Sequence, residues 1–206
     1  MFRADDECPV CRSNSRTRLV WLYVAHHSDL LAKPSRFLHV APEPGLADIF
    51  AATARINYVP ADLDRSRYRH LANLHTFDLQ QAPFDKATFD WVICNHVLEH
   101  IPDDRRAMRE ICRILKPGGR AILQVPISLV RETTDEDPTV TTEMARIARF
   151  GQRDHVRLYA RDYYVRLREA GFDVELWNAF EHDAVRAAEW RLDPEERLVV
   201  ARPRAA

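Results

Sequence analysis

The chain is 206 residues long, 46% hydrophobic and 30% charged, and its 30 Lys plus Arg against 31 Asp plus Glu leave a formal net charge of −1. That length supports one domain with a sizeable core, and the even charge balance excludes a broad nucleic-acid or anionic-membrane surface. No apolar run approaches the ~18 residues of a membrane span, residues 1–7 lack the apolar core of a secretory signal, and four cysteines make no disulfide framework, so a reducing cytoplasm is the expected compartment.

In chain order, Leu19, Leu22, Tyr23, Leu30 and Leu31 predict an amphipathic helix over 17–32, with exposed apolar residues that could support a homodimer. Residues 1–35 thus read as an N-terminal extension. A short buried strand over 37–41 ends in Pro42-Glu43-Pro44-Gly45; a helix over 46–55 follows, then a strand over 56–59 leading to Asp62 and Asp64. Residues 89–94 read as a strand. Over 103–116, Met108, Ile111, Cys112 and Leu115 recur at i, i+3, i+4 and i+7, which is one helix face. Asp103 and Asp104 suit the start of that helix, and Pro117-Gly118-Gly119 its end. A strand over 121–125 comes next. The polar segment 127–157, rich in acidic residues, reads as a lid or substrate insertion with a short helix near 141–149. A helix over 161–170 closes at Gly171, and strands over 172–177 and 197–201 complete the chain. Strands alternating with helices imply an α/β fold, a doubly wound and mostly parallel sheet with helices on both faces.

The turn Ala41-Pro42-Glu43-Pro44-Gly45 stands where a dinucleotide enzyme needs bare glycine amides beside a pyrophosphate. A carboxylate and two prolines without N–H make a poor cradle for that group. They suit instead a cationic cofactor without phosphate, S-adenosylmethionine (SAM); a Pro-rich turn with no ligand is the alternative. Asp62 ends the second strand, where a carboxylate can accept both ribose hydroxyls, and Asp64 competes for that role. Asp78 is placed to receive an adenine amino group, with Leu79 packing on the ring. Taken singly, each Asp reads more readily as a helix cap or turn residue; their succession at strand ends reverses that and favours the ligand.

These residues, with Asp90 to Glu99 and Leu115-Lys116-Pro117-Gly118-Gly119, resemble the class I SAM-dependent methyltransferases of the methyltransferase domain 11 type, over roughly residues 36–202. The resemblance implies a seven-stranded Rossmann-like sheet and a SAM site at Ala41, Glu43, Gly45, Asp62, Asp64, Asp78, Leu79 and Asn95. It also implies that the 90–99 stretch borders the active site. His39 stands where the family carries an acid, and Ala41 and Glu43 where it carries glycines, which opens the alternative of a non-catalytic SAM-binding protein. Ala-Pro-Glu-Pro-Gly together with the 150–157 stretch resembles a subgroup found near polysaccharide and glycolipid pathways. That points to a mycobacterial-type sugar O-methyltransferase of polysaccharide biosynthesis, acting on a small-molecule acceptor.

Methyl transfer to a hydroxyl needs alignment and a base. His155, with Asp154 beside it, is the leading base candidate, and His96 at the strand-four exit is the other. Glu136, Asp137 and Asp154 could hold Mg²⁺, but acidic loop residues are commonly just solvated, and no metal is assigned. Cys8-Pro9-Val10-Cys11 is half of a zinc-knuckle spacing that Cys94 and Cys112, in regular elements, cannot complete. An N- or C-methyltransferase of another small metabolite is the alternative activity.

Overall fold

The computed structural model describes residues 7–10, 13–68, 70–71 and 73–205. Asn14 caps α1 (Ser15–Leu22), its side chain accepting from the Thr17 amide at 2.9 Å, and the chain continues in a wider helical turn, Tyr23–His27. Then follow β1 (Ser35–Val40), α2 (Pro44–Ala52), β2 (Ile56–Asp62), β3 (His75–Thr76), β4 (Phe89–Cys94), α3 (Asp104–Ile114) and β5 (Leu115–Ile122). The second half holds β6 (Asp135–Glu136), α4 (Glu143–Phe150), β7 (Arg157–Leu158), α5 (Tyr163–Glu169), β8 (Phe172–Trp177), α6 (Ala179–His182), α7 (Ala184–Glu189) and β9 (Leu198–Pro203).

Seven strands form one sheet in the order β3-β2-β1-β4-β5-β9-β8. The first five run parallel, and β9 is antiparallel to both its neighbours. Because successive strand residues face opposite sides, the core divides in two. Leu38, Val40, Val92 and Cys94 pack with Met108, Ile111 and Leu167 on one face. Phe37, Trp91 and Ile93 pack with Leu19, Leu22, Phe50 and Ala187 on the other. Burial on both faces explains why β1 and β4 read as near-continuous apolar runs. Strand order reverses between β1 and β4, so their carboxyl ends border a crevice, the place where open α/β sheets bind ligands.

Several sequence expectations are corrected. The helix over 17–32 ends at residue 27, and Leu19, Val20, Leu22, Tyr23, Val24 and Leu30 are all buried. They face the sheet, so the exposed apolar face expected to support a homodimer is absent from this segment. The strand expected over 121–125 begins at Leu115, because the pairing of β5 with β4 slips between Phe89 and Trp91. Leu115 to Gly119 is therefore a bulge inside the sheet. Gly119 is required there, since a Cβ would lie 2.9 Å from the Lys116 carbonyl oxygen and 3.0 Å from that of Asp90. The insertion is tied together by a two-stranded ladder, β6 with β7, that nothing in the pattern announced. Cys94 is buried in β4 and the Cys112 thiol contacts the Gly171 carbonyl oxygen, while Cys11 lies outside the described residues. No helix among the described residues is long and apolar enough to cross a membrane.

Asp103 caps α3 by accepting from the Arg106 amide at 2.9 Å, but Asp104 turns inward. Its Oδ2 accepts from Tyr159 Oη at 2.6 Å and from Arg166 Nη1 at 3.1 Å. Arg166 Nη2 also donates to Glu136 at 2.8 Å, and Arg157 Nε donates to the same carboxylate at 3.0 Å. Arg157 then donates from Nη1 to the Leu98 carbonyl and from Nη2 to that of Pro102, each at 2.8 Å. Two buried guanidiniums thus join the insertion, α3 and the turn after β4.

Candidate active site

Both switch-point strands end in a strained residue. Ala41 follows β1 at φ 50° and His96 follows β4 at φ 54°, left-handed conformations that cost a side-chain-bearing residue about 1–2 kcal/mol. Their amides are fixed by the Ala61 and Gln124 carbonyl oxygens, each at 2.8 Å. Strain of this kind persists where surrounding structure enforces it, and it concentrates at functional sites.

At the β1 tip, Glu43 folds back onto the strand. Its Oε2 lies 2.6 Å from His39 Nε2, and its Oε1 accepts from Asn95 Nδ2 at 3.1 Å. His39 is fully buried and its Nδ1 lies 3.1 Å from the Tyr58 hydroxyl. Burial raises the Glu43 carboxyl, but the hydrogen bonds from His39 and Asn95 outweigh it and leave the group below its ordinary value, hence charged at neutral pH. Asp62, at the end of β2, is buried and accepts from the Asp64 amide at 2.7 Å. Tyr68 feels both carboxylates: burial raises its hydroxyl, and Asp62 and Glu43 raise it further. Asp62 and Glu43 thus stand at the carboxyl ends of the adjacent parallel strands β2 and β1.

The remaining acids differ. Asp64 is exposed and turns to its own loop, accepting from the Ser66 amide at 2.9 Å. Asp78, also exposed, caps a short turn through the Gln80 amide at 2.8 Å. Leu79 is buried in the core with Ala82, so little of its side chain is open to the crevice. Gly45, in the first turn of α2, has open space where a Cβ would stand. With Pro42 and Pro44 lacking N–H groups, Asp62 buried and Glu43 half-buried at neighbouring strand ends, these residues fit a cationic adenosine cofactor and not a pyrophosphate.

At the β4 exit the side chains are crowded and partly unpaired. Neither ring nitrogen of His96 has a hydrogen-bond partner although both are shielded from solvent, and the same holds for Glu99 Oε2. His96 Nδ1 lies 3.5 Å from Glu99 Oε1, too far for a good bond. His155 is buried edge-on against His100, ring centroids 4.8 Å apart. Burial lowers its pKa despite the nearby Glu99 carboxylate, so the ring is neutral at pH 7. Asp154 makes no hydrogen bond to His155 among the described residues. Asp154 is exposed; it accepts from Gln152 Nε2 at 2.9 Å and lies 3.5 Å from His100 Nδ1. Sequence reasoning gave Glu99 no role of its own, yet the spacing His96-x-x-Glu99-His100, an acid within a turn of two histidines, was its available signal. A separate cavity of about 700 Å³ opens beside Gly45, lined by Trp21, Ile49 and Trp190; Asp62, Asp78, Asn95 and His155 do not line it.

Comparison with known proteins agrees with this geometry. The methyltransferase domain family matches residues 18–176. Methyltransferase GfsG of Streptomyces halstedii is 33% identical over 116 residues, 55% of this chain and 40% of that one. The ubiquinone/menaquinone biosynthesis C-methyltransferase UbiE of Pasteurella multocida is 34% identical over 100 residues, 46% of this chain and 35% of that one. The matched stretches thus span about two fifths or less of these curated relatives. Among solved structures, an S-adenosylmethionine dependent methyltransferase from Mesorhizobium loti superposes with a TM-score of 0.61, covering 92% of this chain and 98% of the other at 16% identity, a likeness of fold. The chain belongs to the methyltransferase domain family and carries its SAM-dependent, Rossmann-like methyltransferase domain.

Proposed function

We propose that this domain methylates a hydroxyl of a small, polar acceptor, with a saccharide or glycolipid precursor as the favoured class. The observation that carries the cofactor half is the pair of carboxylates, Glu43 and Asp62, at the carboxyl ends of the adjacent parallel strands β1 and β2. In this reading Glu43 and Asn95 hold the amino-acid end of SAM beside Ala41 and Gly45. Asp62 takes the ribose hydroxyls ahead of Asp64, and the turn after Asp78 takes the adenine through its backbone. When bound, SAM supplies an electrophilic methyl on a positively charged sulfur. His96 serves as the base: its strained backbone sets the ring at the β4 exit, its nitrogens are unengaged, and Glu99 beside it stabilises the imidazolium once a proton arrives. His155 and Asp154 wall the acceptor side. The ion-paired insertion, where Arg149 reaches Asp135 at 2.8 Å and Asp137 at 2.5 Å, presents polar surface suited to a hydroxyl-rich molecule.

Calorimetry with S-adenosylhomocysteine tests the cofactor half. The native chain is expected to bind, and Asp62→Ala to weaken binding about tenfold to a hundredfold, the worth of hydrogen bonds to a charged group. No binding by the native chain, or equal binding by both, would refute it. Transfer to carbon is the second reading, favoured by curated relatives that are C-methyltransferases. Turnover with ¹³C-methyl SAM separates the two, because O–CH₃ and C–CH₃ carbons resonate apart.

A further inference from the structure

We propose that Glu99, His100 and His155 form a binding site for one divalent first-row transition-metal cation at the exit of β4. One ligand-type atom from each lies within 4.8 Å of the other two. Donors set tetrahedrally around a single ion at about 2.0–2.2 Å sit about 3.3–3.6 Å apart, so side-chain rotations that draw the three in by about 1 Å complete the set.

Proximity alone would not make this a site; the unmet valence does. Glu99 is 2% exposed, and its Oε2 is shielded from solvent without a hydrogen-bond partner. Among the described residues its ion-pair contact is His96 at 3.5 Å, with no Lys or Arg beside it. A buried carboxylate oxygen without a donor is costly and rare in folded proteins, and a cation is the group that settles it.

His100 is also held as metal-ligating histidines usually are, one nitrogen tied to a backbone carbonyl so that the other is free to coordinate: its Nδ1 lies 3.2 Å from the Asp154 carbonyl oxygen. Two separate segments bring the donors together, and both are fixed. The Val156 amide donates to the Glu99 carbonyl at 3.0 Å, while Arg157 holds the Leu98 and Pro102 carbonyls on either side.

Two imidazoles and one carboxylate select zinc, manganese, iron or cobalt over magnesium and calcium, which prefer all-oxygen sets. Three protein donors leave coordination positions open. On the hydroxyl-transfer reading, an acceptor oxygen on the ion would be acidified and its proton would pass to His96; the site itself stands without that reading.

The test is titration of the cation-free chain with Zn²⁺ and Co²⁺, by calorimetry and by the visible spectrum of the Co²⁺ form. One equivalent is expected to bind, with Co²⁺ bands of a nitrogen and oxygen ligand set. Glu99→Gln and His155→Ala should each weaken binding at least a hundredfold while S-adenosylhomocysteine still binds. The native chain's melting temperature should rise with Zn²⁺, a readout that decides even where a variant folds poorly. Absence of stoichiometric binding by the native chain overturns the proposal. So does binding that survives both variants, or that disappears in Cys8→Ser, which would place the ion at the N-terminal cysteine pair. Cation binding without S-adenosylhomocysteine binding would refute the cofactor reading and leave this site intact.

Discussion

The tips of β1 and β4 are neighbours in the sheet, and they are completed to different degrees. At the β1 tip His39, Glu43, Asn95 and Tyr58 satisfy one another in a chain of contacts between 2.6 and 3.1 Å. At the β4 exit His96 has two unpartnered nitrogens and Glu99 an unpartnered oxygen, all shielded from solvent. The first arrangement is internally satisfied, the Glu43 carboxylate being held charged by its own hydrogen-bond partners. The second holds reactive groups whose hydrogen-bonding capacity is unspent, which suits a place where protons move and acceptors exchange. One sheet edge thus supports two kinds of site, because helix packing secures α2 against β1 while the β4 exit is roofed by a polar insertion.

The sharpest way to break this contrast is His96→Gln. If the β4 exit does the proton chemistry, kcat falls about 10²–10⁴-fold with S-adenosylhomocysteine affinity unchanged; an unaltered kcat removes His96 from the reaction. Asp104→Ala comes next, striking the frame beneath that exit. It removes one of the carboxylates that hold the Arg166 guanidinium, leaving Glu136 as its partner, and should cost about 1–3 kcal/mol in chemical denaturation. A loss within 1 kcal/mol of zero would mean that the network contributes little. On the β1 side, Glu43→Gln keeps the shape but removes the charge facing His39. S-adenosylhomocysteine affinity should drop about tenfold, and a drop in kcat without one in affinity would erase the division of labour between the tips. The smallest effect is a control outside both tips. Burial lowers the pKa of His27, with Asp183 opposing and His182 and His26 adding to the shift. The unfolded chain therefore takes up this proton first, at its ordinary value of 6.5, and stability falls as pH drops through that point. The melting temperature should decline between pH 7 and 6, and His27→Leu should flatten that stretch.

Much of this was legible because it is periodic. The apolar run of β4 and the i, i+3, i+4, i+7 face of α3 located both elements, with β4 and β8 matching to the residue. The acids at the ends of the first strands pointed to the crevice, since strand ends in such sheets open there. What escaped was local geometry without a period. Asp104 reads as a helix-start residue, yet its side chain enters a buried ion network that only the tertiary fold assembles. The two-residue strands β6 and β7 and the short helices α6 and α7 are below the length at which a pattern repeats. Position 43 reads as a foreign acid in a glycine turn; only the fold shows it bonded to His39, four residues back.

The guanidiniums of Arg157 and Arg166 bear on how molecules come and go. By joining Glu136 to Asp104 and to the carbonyls flanking Glu99, they make the base of the insertion part of the scaffold rather than a hinged flap. Opening at that base would forfeit several charge-assisted bonds at once. Any opening for reactant and product is therefore expected beyond that base, around α4, where Met144 and Ile147 stand in solvent.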